Sequence, residues 1–236
     1  MEGALPIKLR PIITILLLAL LIISGCASKP KVPQPSISDK KSPLLEPDFP
    51  KLIAKVEQDH GPVAANRIRY WAKLVKQGKH LSATTQLNQT NRFFNDARFV
   101  TDQEIWQRED YWATPTEFLI KDAGDCEDFA IAKYFTLRFM GVDDDKMRLS
   151  YVKALTLDKP HMVLSYYTTP NSTPLVLDNI EPRILPADLR QDLVPVYSFN
   201  GDSLWLAKSR GRKLAGKAGT LPQWRGLTER IEEETR

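Results

Sequence analysis

Residues 124–134 read Gly-Asp-Cys-Glu-Asp-Phe-Ala-Ile-Ala-Lys-Tyr, and the rest of the predicted architecture is arranged around this stretch. Asp125 is a residue type that caps helices, and the apolar residues after it predict a helix over 126–140 that Gly141 ends. Cys126 would lie in the first helical turn, where the helix dipole lowers the pKa of a thiol toward values at which thiolate dominates. The other cysteine, Cys26, closes an apolar leader, so we expect Cys126 to be a free thiol in the mature chain.

His161 and Asp178 complete a candidate catalytic triad. Cysteine catalysis needs a thiolate, a base within hydrogen-bond reach and a group that orients the base. His161 opens one predicted strand and Asp178 lies near the end of the next; the midpoint of 161 and 178 falls inside the turn 168–171. We therefore expect His161 and Asp178 to be cross-strand neighbours. The backbone N–H of Cys126, unpaired in the helix, is a candidate for the oxyanion hole.

Each of these three residues also has an ordinary structural explanation. A single cysteine is most often a buried structural thiol. A histidine at a strand start can be a surface residue, as we expect of His60 and His80, and Asp178 with Asn179 can form a turn. The occurrence of all three at a helix start, a strand start and a strand end, in that order, favours catalysis.

Three carboxylates, Asp125, Glu127 and Asp128, flank the nucleophile and disfavour its ionisation. One interpretation is helix capping, since acids in the first turn complement the dipole and Asp125 with Asp128 approximates a capping box. The other is a calcium site, whose bound cation would cancel the acidic field, with further oxygens offered by the loop 141–145. Zinc is not expected, because histidines and cysteines do not cluster.

Residues 1–26 have the layout of an export signal. Lys8 and Arg10 precede an apolar run of 13 residues, 11–23, which is shorter than the roughly 20 residues of a membrane-spanning helix. The run ends in Ile-Ser-Gly-Cys26, which is similar to the bacterial lipobox and predicts lipidation of Cys26. No aspartate follows Cys26 at Ala27 or Ser28, where it would retain the protein at the inner membrane, so the sequence permits an outer-membrane anchor. Ordinary cleavage near Ala27 and an uncleaved inner-membrane anchor are the alternatives; each interpretation predicts a periplasmic location.

Charge and composition divide the rest of the chain. The net charge of +4 falls to +3 without the leader, which is too slight to indicate nucleic acid as a partner. Residues 27–50, rich in Pro, Ser and Lys, predict a flexible tether, and 51–207 a single globular domain. Residues 208–225 carry six Lys/Arg and no acid, so 208–236 is predicted to be a basic flexible tail, or a docking segment for an acidic partner or anionic lipid.

The order of the predicted elements indicates the fold class. Helices are predicted over 51–58, 63–77, 81–97 and 115–120, before the helix that carries Cys126. Strands are predicted over 148–155, 161–168 and 175–180 and within 194–206. Helices followed by strands predict an α+β fold in which the cysteine helix packs on an antiparallel sheet.

Four stretches carry a resemblance to a known family: 110–118 (Asp-Tyr-Trp-Ala-Thr-Pro-Thr-Glu-Phe), 124–134, 161–164 (His-Met-Val-Leu) and 175–179 (Leu-Val-Leu-Asp-Asn). Over about residues 50–206 the chain resembles the bacterial transglutaminase-like cysteine proteinases, and among them the LapG-type periplasmic proteases. The resemblance implies a papain-like/transglutaminase-like core and a Cys-His-Asp triad. The triad maps here onto Cys126, His161 and Asp178. The implied Ca²⁺ ligands map onto Asp125, Glu127 and Asp128, with a later one at Asp145 or its neighbours Asp143 and Asp144.

The same resemblance implies a function. LapG-type proteases cut the N-terminal region of a large repeat-type surface adhesin at paired alanines, which releases the adhesin and disperses the biofilm. An inner-membrane receptor for cyclic di-GMP sequesters the protease when the messenger is abundant. The lipobox of this chain departs from the plain signal peptide expected of the family. Two alternatives remain: envelope acyl transfer of the transglutaminase or amidase type, and a non-catalytic lipoprotein that binds a partner.

Overall fold

The structure, a computed structural model, describes residues 46–207 and 214–235. All of these residues belong to a unit that extends over Ser42–Arg236. The predicted signal segment 1–26 with Cys26, and most of the predicted tether 27–50, lie outside the described residues. Within the described ranges, no helix combines the length and the apolar character that crossing a membrane requires.

Apart from one short parallel pair of strands and a final helix, helices come first and strands follow, as the sequence predicts. In the described ranges the α-helices before the sheet and the one after it are α1 (Phe49–Gly78), α2 (Ala83–Asn95), α3 (Asp102–Ile105), α4 (Pro115–Lys121), α5 (Cys126–Phe139) and α6 (Pro222–Glu234). The strands are β1 (Arg98–Phe99), β2 (Ala123–Gly124), β3 (Met147–Ala154), β4 (Lys159–Tyr166), β5 (Leu175–Leu177), β6 (Leu185–Pro186), β7 (Leu193–Phe199), β8 (Ser203–Leu206) and β9 (Leu214–Lys217). The predicted α+β class is confirmed.

Helix α1 consists of two helical segments that meet at a break, which confirms the two helices that the sequence predicts there. Gly61 has a φ of 82°, a conformation that glycine adopts without steric penalty, and it precedes Pro62 at the kink. The Asp48 side chain caps α1, and Phe49 packs edge-on against Trp71 with ring centroids 5.1 Å apart. The folded part therefore begins before residue 51, which corrects the predicted end of the tether at residue 50.

Helix α5 packs across a seven-stranded sheet and is enclosed on nearly every side. The strand order is β6-β5-β4-β3-β7-β8-β9, and all neighbours pair in antiparallel fashion. Residues 128–137 are buried without interruption, because α5 contacts β3 and β4 on one side and α1, α2 and α4 on the other. This enclosure fixes the first turn of α5, and with it Cys126, against the sheet.

The predicted register of the β4–β5 hairpin is wrong by two residues. Leu164 lies opposite Leu177, so continuing the ladder places Asp178 opposite Val163 rather than opposite His161. The turn between the strands is centred one residue further along the chain than its sequence indicates. Because side chains alternate with a period of two, the shift leaves His161 and Asp178 on the same face, as diagonal neighbours.

The predicted flexible tail, residues 208–236, is also corrected. Residues 214–235 form β9, a short 3₁₀ turn and α6. Trp224, Leu227 and Ile231 recur at helical spacing on α6 and are buried in the core. These contacts make the segment part of the protein fold; residues 208–213 lie outside the described ranges.

Candidate active site

Cys126 is the first residue of α5, and hydrogen bonds of its neighbours fix the start of this helix. Asp128 is buried, its Oδ1 accepting the Ala113 N–H at 2.7 Å and its Oδ2 accepting the Asp125 N–H at 3.4 Å. A Cβ at Gly124 would lie 2.7 Å from the Asp128 side chain, so only glycine fits directly before the cap. These contacts confirm that Asp125 and Asp128 act as helix-capping residues, and they set the direction in which the thiol leaves the helix.

His161 and Asp178 form a direct, buried pair. The Nε2 atom of His161 lies 2.8 Å from Oδ1 of Asp178, which also accepts the Ile180 N–H at 3.0 Å, and Arg190 donates to Oδ2 at 2.8 Å. Burial alone would raise the pKa of Asp178, but these hydrogen bonds outweigh it and hold that pKa below its usual range. Because Nε2 of His161 is taken by Asp178, Nδ1 is the ring nitrogen left to exchange a proton.

Cys126 and His161 line the same cavity, whose volume is about 570 Å³. Its wall includes the stacked pair Tyr151 and Tyr197, with ring centroids 5.0 Å apart. The structure thus brings the three predicted catalytic residues to one site, with His161 and Asp178 in contact and the thiol opening into the cavity that His161 lines.

The surroundings of Cys126 favour the protonated form of its thiol. It donates a hydrogen bond to Oε2 of Glu127 at 3.0 Å. Burial, then the Glu127 carboxylate and then that of Asp125, raises the pKa of Cys126 far above that of a free thiol, although the Met162 backbone N–H acts in the opposite direction. The carboxylates of Glu127 and Asp125 thus oppose the effect of the helix dipole on this thiol, as the sequence predicts.

Carboxylates from three segments converge beside the thiol. Asp102, Asp110 and Glu127 form one group whose oxygens lie within 4.8 Å of one another, and Asp102, Asp125 and Asp128 form another. Burial is the main cause that raises the pKa of Asp102 to about 6 and the pKa values of Asp125 and Asp128 well above their usual range. Burial and mutual repulsion therefore oppose the simultaneous ionisation of these carboxyl groups.

Comparisons with known proteins identify the family. The model of the bacterial transglutaminase-like cysteine proteinases matches residues 71–191, which is more than half of the chain. The chain belongs to this family. The structure is similar to EGTA-treated Legionella pneumophila LapG, with 42% identity and a TM-score of 0.72 over 80% of this chain and 100% of that one. For calcium-bound LapG of the same organism the values are 43% and 0.68, over 78% and 98%. A search of curated proteins found no match.

The acidic cluster of this LapG-type cysteine protease fits a hard divalent cation. In the two groups described above, every donor is a carboxylate oxygen, which is the ligand type that Ca²⁺ prefers. The Oδ1 atoms of Asp102 and Asp125 are buried and lack a hydrogen-bond partner in the described part of the chain. A buried carboxylate oxygen without a donor is costly unless a cation balances it, so the cluster has the composition of a calcium site.

The predicted ligand Asp145 is not part of this cluster. It lies in the 3₁₀ turn Asp144–Lys146, beyond the opposite end of α5, where Asp144 accepts a hydrogen bond from the Tyr134 hydroxyl. Helix α5 has 14 residues and is therefore about 21 Å long, which separates Asp145 from the first turn of the helix. Asp102 and Asp110 occupy the positions beside Glu127 that the sequence interpretation gave to the 143–145 loop.

Sequence reasoning missed four residues of the site for different reasons. Asp102 follows Thr101 and precedes Glu104, a pattern that reads as an ordinary capping box, which the structure also contains. Asp110 lies inside a stretch that carries the family resemblance and could have been found there. Arg190 lies between two predicted strands, and Lys133 lies within an apolar helix; neither residue has a local pattern that indicates an interaction with Asp178.

Proposed function

We propose that this LapG-type protease is a calcium-dependent cysteine endopeptidase in which Cys126 is the nucleophile, His161 the general base and Asp178 the orienting group. The observation that carries the proposal is the 2.8 Å contact between His161 Nε2 and Asp178 Oδ1 on the wall of the cavity that Cys126 also lines. A base fixed by a carboxylate beside a thiol is the arrangement that nucleophilic cysteine catalysis requires.

The reaction follows from these positions. The Cys126 thiol passes its proton to Nδ1 of His161, and the thiolate attacks the scissile carbonyl carbon, whose oxygen becomes negative. The unpaired Cys126 N–H at the start of α5 stabilises that oxygen. The imidazolium then protonates the leaving amine, and a water molecule activated by His161 hydrolyses the thioester, which restores the thiol. Asp178 stays ionised and stabilises the imidazolium at each stage.

Asp102, Asp110, Asp125 and Glu127 are the residues that would hold Ca²⁺, while Asp128 keeps its backbone partners. When bound there, the ion supplies positive charge that offsets the carboxylate field beside Cys126. Glu127 is the residue through which the two sites connect, because its carboxylate contacts both the thiol and the acidic cluster.

We further propose that the substrate is the N-terminal region of a large repeat-type surface adhesin, whose cleavage releases the adhesin and promotes biofilm dispersal. An inner-membrane cyclic di-GMP receptor is the proposed sequestering partner. Membership of the LapG-type group supports both proposals. The proposed location is the periplasm, with a lipid on Cys26 anchoring the chain to the outer membrane; incorporation of labelled palmitate that a Cys26→Ser variant loses would test this anchor.

Incubation with an N-terminal fragment of the host's adhesin tests the function. Wild-type protein with Ca²⁺ is expected to produce two fragments, whereas Cys126→Ala and EGTA treatment each abolish cleavage. Cleavage by Cys126→Ala would remove the nucleophile assignment. Incorporation of a labelled primary amine, without new peptide termini, would instead assign acyl transfer to an amine.

A further inference from the structure

We propose that Arg190 is a positioning residue for the proteolytic reaction: its guanidinium fixes the orientation of the Asp178 carboxylate and supplies its counter-charge. The inference rests on the proposed triad and extends it by one side chain. The contacts of Asp178 are the starting point, because both of its oxygens are occupied by donors from different parts of the chain.

The two carboxylate oxygens of Asp178 accept hydrogen bonds from different donors. Oδ1 accepts from His161 Nε2 at 2.8 Å and from the Ile180 N–H at 3.0 Å. Oδ2 accepts from Nη2 of Arg190 at 2.8 Å. Without that donor, a carboxylate could turn about its Cβ–Cγ bond and present either oxygen to the imidazole at varying angles. The Arg190 contact therefore selects the geometry in which Oδ1 faces His161.

Arg190 is itself held in place. Its side chain is 5% exposed, and Asp192 binds it with two contacts, from Nε to Oδ1 at 3.0 Å and from Nη2 to Oδ2 at 2.8 Å. A buried guanidinium is costly unless carboxylates pair with it. Asp192 thus orients Arg190, and Arg190 orients Asp178, in a chain of contacts that leads to the base.

The charge of Arg190 also affects where the catalytic proton resides. In the described part of the chain, Asp178 contacts His161 on β4 and Arg190, and it interacts electrostatically with Lys133 on α5, while Asp192 pairs with Arg190. A carboxylate paired with a guanidinium is a weaker base than one without it. The proton taken from the thiol therefore stays on the imidazole and remains available to the leaving amine.

A purely structural role is the alternative, in which Arg190 only fastens the segment 178–192. Arg183 provides a matched control within that segment, since it forms a two-point ion pair with Glu181 but is 73% exposed and does not touch Asp178. A structural role predicts a fall in melting temperature without a change in the pH dependence of catalysis. A positioning role predicts a change in that dependence.

The experiment compares Arg190→Met, Arg190→Lys and Arg183→Met in the mature, Ca²⁺-loaded chain, with the adhesin fragment as the substrate. For Arg190→Met we expect kcat to fall by about 10- to 100-fold, the factor that corresponds to losing one charged hydrogen bond, with little change in KM. We also expect the acid limb of the kcat/KM profile to move to higher pH. Arg190→Lys keeps the charge and should restore the acid limb and part of kcat, and Arg183→Met should match the wild type.

Three outcomes would overturn the inference. The first is that Arg190→Met has wild-type kinetics. The second is that Arg190→Met loses activity while the acid limb of its profile does not shift. The third is that a folded Arg190→Lys shifts the acid limb as far as Arg190→Met does. If Arg190→Met does not fold, Arg190→Lys and Asp192→Asn decide, since both should lower kcat with KM unchanged. Failure of the triad itself is recognised separately, because then Cys126→Ala and His161→Ala would retain activity.

Discussion

Lys133 is the residue whose burial contradicts ordinary expectation. It lies seven positions after Cys126 on α5 and is 1% exposed. Burial lowers its pKa from 10.5 to about 7, although the negative charge of Asp178 acts in the opposite direction. Its Nζ lies 5.8 Å from the centroid of the Phe129 ring, a cation–π distance. Burial thus disfavours the ammonium form of Lys133, and the interaction with Asp178 opposes that effect only in part.

Lys133→Met should stabilise the protein, because methionine fills a similar volume without burying a charge. We expect the free energy of unfolding at pH 7 to rise by about 1–3 kcal/mol, measured by urea denaturation. Between about pH 7 and 10.5 the unfolded chain binds the Lys133 proton and the folded chain does not. Wild-type stability should therefore gain up to about 1.4 kcal/mol per pH unit from this group as pH rises, and the variant should lack that gain.

Lys73→Met is the control, since Lys73 is an exposed lysine on α1. It should change the free energy of unfolding by less than about 0.5 kcal/mol at every pH. A Lys133→Met variant that is less stable than the wild type at pH 7 would show that the ammonium is stabilised by its site, contrary to this interpretation.

Elements with cap signals were predictable, and those fixed by tertiary contacts were not. Thr114 followed by Pro115 gave α4, and Asp125 with Gly141 gave α5, because these residues act on the helix ends themselves. The β4–β5 register could not be predicted, because it depends on how many residues the irregular turn between the strands takes up. The role of Asp102 could not be predicted from local sequence, because it approaches Glu127 from a different segment of the folded chain.

The sequence analysis did not predict helix α6, because the basic residues before and within it drew attention away from its apolar residues at helical spacing. The basic residues of 208–225 suggested a solvated tail, whereas Pro222 at the helix start and apolar residues at 224, 227 and 231 carry the helical signal. Trp224 stacks on Phe135 with centroids 5.6 Å apart and meets Tyr134 and Phe199 edge-on. The helix also supplies Gln223, which donates to Asp110 at 2.9 Å on the rim of the acidic cluster.

Trp224→Ala tests whether α6 belongs to the fold. Removing this buried ring should lower the free energy of unfolding by about 3–5 kcal/mol, as measured by chemical denaturation. Glu229→Ala, at an exposed position of the same helix, should have little effect. Equal stability of Trp224→Ala and the wild type would support the flexible tail that the sequence predicted.

At the scale of the whole molecule, the fold places two sites with opposing electrostatic demands side by side. One site needs a thiolate, and the other gathers carboxylates that oppose it. Helix α5 contributes to both, since Cys126 and Glu127 are consecutive residues. The proposed calcium dependence follows from this proximity, because a cation that takes up the carboxylate charge also relieves the thiol.

The rate at which iodoacetamide alkylates Cys126 reports whether the thiol is activated by His161 and Ca²⁺, and it needs no substrate. In the Ca²⁺-loaded wild type we expect rapid alkylation well below pH 8. The rate should be lower by about tenfold or more in His161→Ala and in EGTA-treated wild type. Mass spectrometry of the labelled peptide assigns the site. An alkylation rate that is the same in His161→Ala as in the wild type, with and without Ca²⁺, would contradict the account.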